Sequence, residues 1–229
     1  MTGAQCISSF LLLYDYLSSG NAPGYRTDDI ISLLNNAQND FIKMRMFGKN
    51  FQPPAFEQNQ KRVADLQTLI VIPTGLTQAP VSTIATEKIY SLPTNFLYYI
   101  DSISQLTRSN YPLITSVRWL KNKVINHEDV TKFINSEINR THFLYPVAWI
   151  EAGFLKVMGD RYTTITNGNN YTKLSYIKKP TAIANTSMTP DFPESVHQEI
   201  VEIAVKKGLQ VIGDPRWQTA SLEEQQKTE

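Results

Sequence analysis

Cysteine is nearly absent. Cys6 stands alone in 229 residues, which excludes a disulfide-stapled scaffold. Net charge is nearly absent too: 22 Lys and Arg face 21 Asp and Glu, a formal charge of +1. The charged fraction is 19%, against roughly 25% in a typical globular chain. A polybasic nucleic-acid binder, which needs a clustered cationic face, is therefore excluded. No apolar run approaches the roughly 20 residues of a membrane-spanning helix. Phe10 to Leu13 begins like a secretory leader, but no basic residue precedes it and Asp15 interrupts it, so none is expected. Chemical signatures are missing as well: no glycine loop ending in Lys-Ser or Lys-Thr, no GxGxxG, no HExxH and no GxSxG. No enzymatic activity, cofactor or metal is expected on these grounds.

What is present is enough apolar material for a core. Hydrophobic residues make up 41%, and the 11 Tyr, 10 Phe and 3 Trp are many for one domain. Helical spacing over residues 5–18 (Ile7, Phe10, Leu11, Tyr14, Leu17) predicts a first helix, broken by the run Ser18 to Gly24. Thr27 or Asp28 can cap a second helix reaching Phe47, with Ile30, Leu33, Leu34, Ala37, Phe41 and Met44 as its apolar stripe. Residues 56–68 predict a helical turn or two. From 69 to 120 the period shifts toward two, with strands around Ile70, Ile89 and Phe96 to Ile103, and an alternating run over 112–120.

Asn126 to Ile138 predicts a third helix. Residues 145–151 and 154–159 predict a hairpin about Ala152 and Gly153, and residues 171–179 a strand ending at Pro180. Pro193 and Glu194 suit the start of a last helix whose stripe is Val196, Ile200, Ile203 and Ala204, continued by Val211 and Ile212 and ended by Gly213. No βαβ rhythm is visible. The order predicts an α+β fold with an antiparallel, strand-rich middle. One domain over 1–229 is expected, with a helical N-terminal region over 1–68, a β-rich region over 69–180, a helix over 193–213 and a tail over 214–229.

The chemical candidates are thin. His127, His142 and His197 are scattered without metal-ligand spacing, and His197 beside Glu194 and Glu199 reads as a surface pair. Met158 to Tyr162 (MGDRY) reads as a tight turn. Lys178 and Lys179 fall on opposite faces of a strand and make no single patch. The stretch Gly213 to Gln218 (GDPRWQ) places Arg216 and Trp217, residue types enriched at interface centres, just past a helix end. Trp119 and Trp149, were both exposed in a groove, would favour a carbohydrate or host-factor binding module.

Three segments together resemble the head-to-tail connector, or ring, proteins of tailed phages, especially those of crAss-like podoviruses. They are PGYRTDDIISLLNNAQNDFIKMR from Pro23, THFLYPVAWIEAGFLKVMGD from Thr141, and LSYIKKPTAI from Leu174 followed by FPESVHQEIVEIAVKKGLQVIGDPRWQ from Phe192. The resemblance implies a virion structural protein rather than an enzyme, assembled in the host cytoplasm. Its expected partners are further copies in a closed ring, often twelve-fold, the portal and neighbouring tail rings. It also implies genomic DNA passing through the ring without sequence-specific contact. Candidate contacts between copies are Tyr25 and Phe41 in the N-terminal region, Asn167, Asn169 and Asn170 in the polar loop, and Arg216 and Trp217 in the tail. A tail-tube or other virion ring is the structural alternative. A phage cell-wall hydrolase, the enzymatic alternative, would show a carboxylate or Cys/His cluster.

Overall fold

A computed structural model describes residues 1–17, 24–47, 56–79, 87–108, 117–135, 146–159, 163–166 and 168–213. The architecture is α+β, with helices at both ends and strands between. The chain divides into two compact units, Met1–Leu69 with Pro180–Glu229, and Ile70–Lys179. The expected β-rich region, 69–180, spans the second unit. The first is discontinuous, because the last helix packs with the N-terminal ones.

The helical unit contains α1 (Gly3–Leu17), α2 (Thr27–Phe47), α3 (Phe56–Leu66) and, beyond the strands, a helix at His197–Ile212. Helix α1 starts two residues earlier than its apolar spacing predicts. Thr2 N–H donates to Gln5 Oε1 at 2.8 Å and Gln5 N–H donates to Thr2 Oγ1 at 3.4 Å, a reciprocal capping box that satisfies two orphan donors. Helix α2 has Asp28 and Asp29 in its first turn, at the positive end of the dipole. Ile30 N–H already bonds Arg26 O, so Thr27 and Asp28 lie inside the first turn rather than at the cap.

The last helix is the centre of this unit. Ile200, Val201, Ile203, Ala204, Val205, Gly208 and Leu209 are all buried, a wide arc that accommodates both α1 and α2. Val211 does not continue the stripe: it is 74% exposed. It stands about 200° around the helix from Leu209 and leaves the arc. Gly208 lets Phe10 and Tyr25 approach, since a Cβ there would meet both rings at 3.3–3.4 Å. Gly213 closes the helix in the left-handed conformation, φ 74°, its N–H reaching back to Gln210 and Leu209 carbonyls.

The strand unit holds two sheets. The first has the order β1 (Ile70–Gly75), a strand at Thr172–Lys178, β3 (Phe96–Arg108), β4 (Arg118–Lys121), with a short strand at Thr163–Ile165 also on β3. The second has the order β2 (Glu87–Ser91), β7 (Phe154–Met158), β6 (Val147–Glu151), β5 (Lys123–Val124). In chain order the strands at Thr163–Ile165 and Thr172–Lys178 are β8 and β9, α4 is His127–Asn135, and the last helix is α5. Among the described residues all strand pairings are antiparallel except the two-residue β5–β6 contact.

Inner side chains of both sheets form one cluster that includes Tyr90, Leu106, Ala148, Leu155, Val157 and Leu174, so the middle is a sandwich. Alternation along β6 sends Val147 and Trp149 the other way, where they pack with Ile125, Val130 and Met158 under α4. The predicted hairpin forms between β6 and β7. Ala152 (φ 50°) and Gly153 (φ 81°) are both left-handed, as a two-residue I′ turn demands. Of the alternating run 112–120, residues 112–116 lie outside the described residues, and β4 begins at Arg118.

Candidate interaction surfaces

Among the described residues, the segment from Pro23 fastens the helical unit to itself. In the LNNAQ motif of α2, Asn35 Nδ2 donates to Ile183 O at 3.1 Å, and Asn35 Oδ1 accepts from Ile183 N–H at 2.8 Å. The amide thus pairs with a loop residue as a strand neighbour would. Gln38 Nε2 supports it from one turn on, at 3.4 Å.

Phe41 is not an interface residue: it is 0% exposed, set edge-on against Phe192 and under the Arg45 guanidinium, 4.6 Å from the ring centre. Its stripe position signalled burial, but the burial is within its own unit. Tyr25 is likewise occupied, with its hydroxyl donating to Gly208 O at 2.7 Å and its ring edge-on to Phe10 and Tyr14.

His197 is a second correction. It is 2% exposed, not a surface group paired with Glu194 and Glu199. Its Nε2 lies 2.9 Å from Phe192 O and its Nδ1 2.8 Å from the Met1 amino group, so the neutral ring donates through Nε2 and accepts at Nδ1. Burial holds its pKa below the ordinary histidine value, and the neighbouring ammonium adds to that. Glu199 serves another partner: with Asp65 it brackets Arg45, at 2.6 Å and 2.8 Å.

The polar loop does hold Asn169 and Asn170 at the surface, yet both shape their own turn. Asn169 Oδ1 accepts from Gln78 N–H at 3.0 Å, and Asn170 N–H donates to Leu76 O at 3.0 Å. Asn170 takes φ 69° and lies so close over Gly75 that a side chain there would collide with it. Asn167, Arg216 and Trp217 lie outside the described residues, as do His142 and most of the MGDRY turn.

One charged cluster sits on the outer side of the second sheet. Lys156 lies between Glu151 at 2.8 Å and the buried Glu87 at 3.7 Å, and Trp149 Nε1 donates to Glu151 Oε2 at 3.1 Å. The hydrogen bond to Glu151 raises the Lys156 pKa, and the same bond, with the Trp149 donor, lowers that of Glu151. Both shifts favour the charged form of the Lys156–Glu151 pair. No group of three or more His, Cys, Asp or Glu poised for a metal occurs among the described residues. Cys6 is buried, and burial pushes its thiol pKa up, away from a reactive thiolate. No helix among the described residues is long and apolar enough to cross a membrane.

Among the groups each unit leaves in solvent are several large apolar side chains. On the helical unit Leu12, Val63 and Val211 are exposed; on the strand unit Ile72 is 78% exposed, with Val117, Val124 and, at 41%, Trp119. Trp149 is core, so the two tryptophans do not share a groove. Trp119 carries Lys173 Nζ over its ring at 4.6 Å, and nearby Lys121 pairs with Asp101 at 3.1 Å. No family model and no curated protein matches the chain.

Proposed function

We propose that the chain is a structural subunit of a tailed-phage virion, one copy in a head-to-tail connector ring that extends and seals the DNA channel below the portal. The observation that carries this reading is the exposure of large apolar side chains on both units, Leu12, Val63 and Val211 on one and Ile72, Val117 and Trp119 on the other. A ring closes through heterologous contacts, in which every copy presents two different, complementary faces. These exposed side chains supply candidate contacts on each unit. Interfaces of that kind often bury about 2,000 Å² or more and are more hydrophobic than transient ones. The resemblance of the Pro23, Thr141 and Phe192 segments to connector proteins supports a virion ring and points to further copies, the portal and neighbouring rings as its partners.

The near-neutral charge suits such a channel, because each phosphate neutralised by a lysine or arginine would tighten DNA against the wall. Electron microscopy of the virion tests the reading. Density for this chain in a ring below the portal is the expected result, and its absence from every virion ring would overturn it. Mass measurement of the purified chain adds to this: rings in solution are expected if the portal is not required as a template.

A further inference from the structure

One segment of the strand unit belongs to both sheets. Arg118–Lys121 ends the first sheet as β4, Lys123–Val124 ends the second as β5, and a single residue, Asn122, makes the crossing. Asn122 is buried and held at three points: its N–H donates to Ser102 O at 2.9 Å, and its side-chain amide donates to Ser102 Oγ at 2.8 Å and Ser104 Oγ at 3.0 Å. The kink is therefore fixed. Among the described residues β4 pairs with β3 alone and β5 with β6 alone, which leaves the outward backbone of both strands without a partner strand.

The eight residues from Val117 to Val124 read Val-Arg-Trp-Leu-Lys-Asn-Lys-Val. They carry Arg118, Lys121 and Lys123, no acid, and exposed apolar groups at Val117, Trp119 and Val124.

We propose that this double edge docks an extended acidic segment of a partner chain, added as a further strand along β4. The outward N–H and C=O groups of an edge strand are a template that another backbone matches group for group. The cations select which backbone. A parallel, in-register self-pairing of β4 would set Arg118 and Lys121 against their own copies, where like charges destabilise, and any self-pairing crowds the cations of two copies along one edge, whereas an acidic strand brings opposite charge to them. Trp119 and Val117 then supply the apolar contact.

Nucleic acid fits less well. A nucleic acid has no alternating N–H and C=O row to match the outward backbone of β4, so it could use the cations but not the edge itself. The added strand takes Val117 and Trp119 for itself, so a ring subunit would use the edge only where its neighbour does not already cover those two.

The test uses the full chain and a capped octapeptide with glutamates in adjacent pairs separated by single valines, so that both faces of the added strand carry acid, as the opposite-facing Arg118 and Lys121 require. The expected results are binding, slowed hydrogen exchange at the backbone amides of residues 118–121, and a loss of roughly tenfold or more in affinity for the Arg118→Glu/Lys123→Glu variant. A Lys43→Glu/Lys132→Glu variant, with the same change in net charge at exposed lysines elsewhere, should bind as the parent does. If the charge-reversed variant fails to fold by circular dichroism, Arg118→Gln/Lys123→Gln replaces it with the same expected direction. The proposal is overturned by no binding at millimolar peptide or by no protection at 118–121. An equal loss in the Lys43/Lys132 variant overturns it too, as does a single-stranded oligonucleotide that outcompetes the peptide.

Discussion

The two units fasten their elements with polar groups of different kinds. In the helical unit these are charges and amides with long reach: Arg45 joins α2 to Asp65 on α3 and Glu199 on α5, and Asn35 joins α2 to Ile183. In the strand unit they are mostly hydroxyls: Ser104 and Thr172 bond each other at 2.9 Å across neighbouring strands, and Ser102 meets Tyr99 at 2.9 Å. The difference follows from how the elements meet. Strands are joined by backbone bonds that already fix their spacing and register, so short hydroxyls need only satisfy the polar groups left over in the interior. Helices meet through side chains alone, and their rotation about one another must be set by groups long enough to bridge and directional enough to discriminate.

Substitutions can break this contrast, beginning where the effect is largest. Phe41→Ala removes a fully buried ring and should cost about 3–5 kcal/mol in urea unfolding. Hydrogen exchange should accelerate in α2 and α5 and remain unchanged in β3 and β9; equal acceleration in both would show that the units are not separately fastened. Arg45→Ala strands the buried Asp65 carboxylate and should cost about 3 kcal/mol, part of which Asp65→Asn recovers in the same background.

In the strand unit Asn122→Ala takes the donor from Ser102 and Ser104 and should cost about 1–3 kcal/mol. Ala152→Asn runs the other way. A non-glycine residue at φ 50° suits asparagine better than alanine, and the hairpin should gain about 0.5–1 kcal/mol, read as a raised unfolding midpoint.

The last effect depends on pH. His197 has a folded-state pKa lowered by burial, so the unfolded chain binds its proton more readily. Its contribution to stability is complete above the unfolded histidine value, about 6.5, and is lost as pH falls below that toward the folded value. The urea midpoint should drop between pH 7.5 and 5 (about the range histidine spans), and His197→Gln should flatten that portion of the dependence. A midpoint that rises on acidification would contradict the assignment.

Much of the fold was legible because its signals are local. Gly213 and the Ala152-Gly153 pair mark their own boundaries, and the stripes of α2 and α5 follow from spacing alone. The errors lie where a residue's surroundings come from far along the chain. His197 has glutamates as sequence neighbours, but its ring is closed off by the Met1 amine, 196 positions away. Phe41 advertises burial without saying against what, and Phe192 supplies the answer. The alternation through Trp119 and Leu120 was visible, but a change of sheet within one residue leaves no periodic mark, so the double edge at Asn122 was not.

The helical unit is assembled from both ends of the chain, with the whole of Ile70–Lys179 between them. That has a consequence in time. During synthesis the strand unit emerges as one uninterrupted stretch and can close its own contacts, whereas α1 and α2 leave the ribosome without the helix that covers them. Phe10, Leu34 and Phe41 stay uncovered until α5 follows. Those early helices must therefore be sheltered or tolerated for as long as the intervening residues take to be made, about 5–20 residues per second in a growing chain.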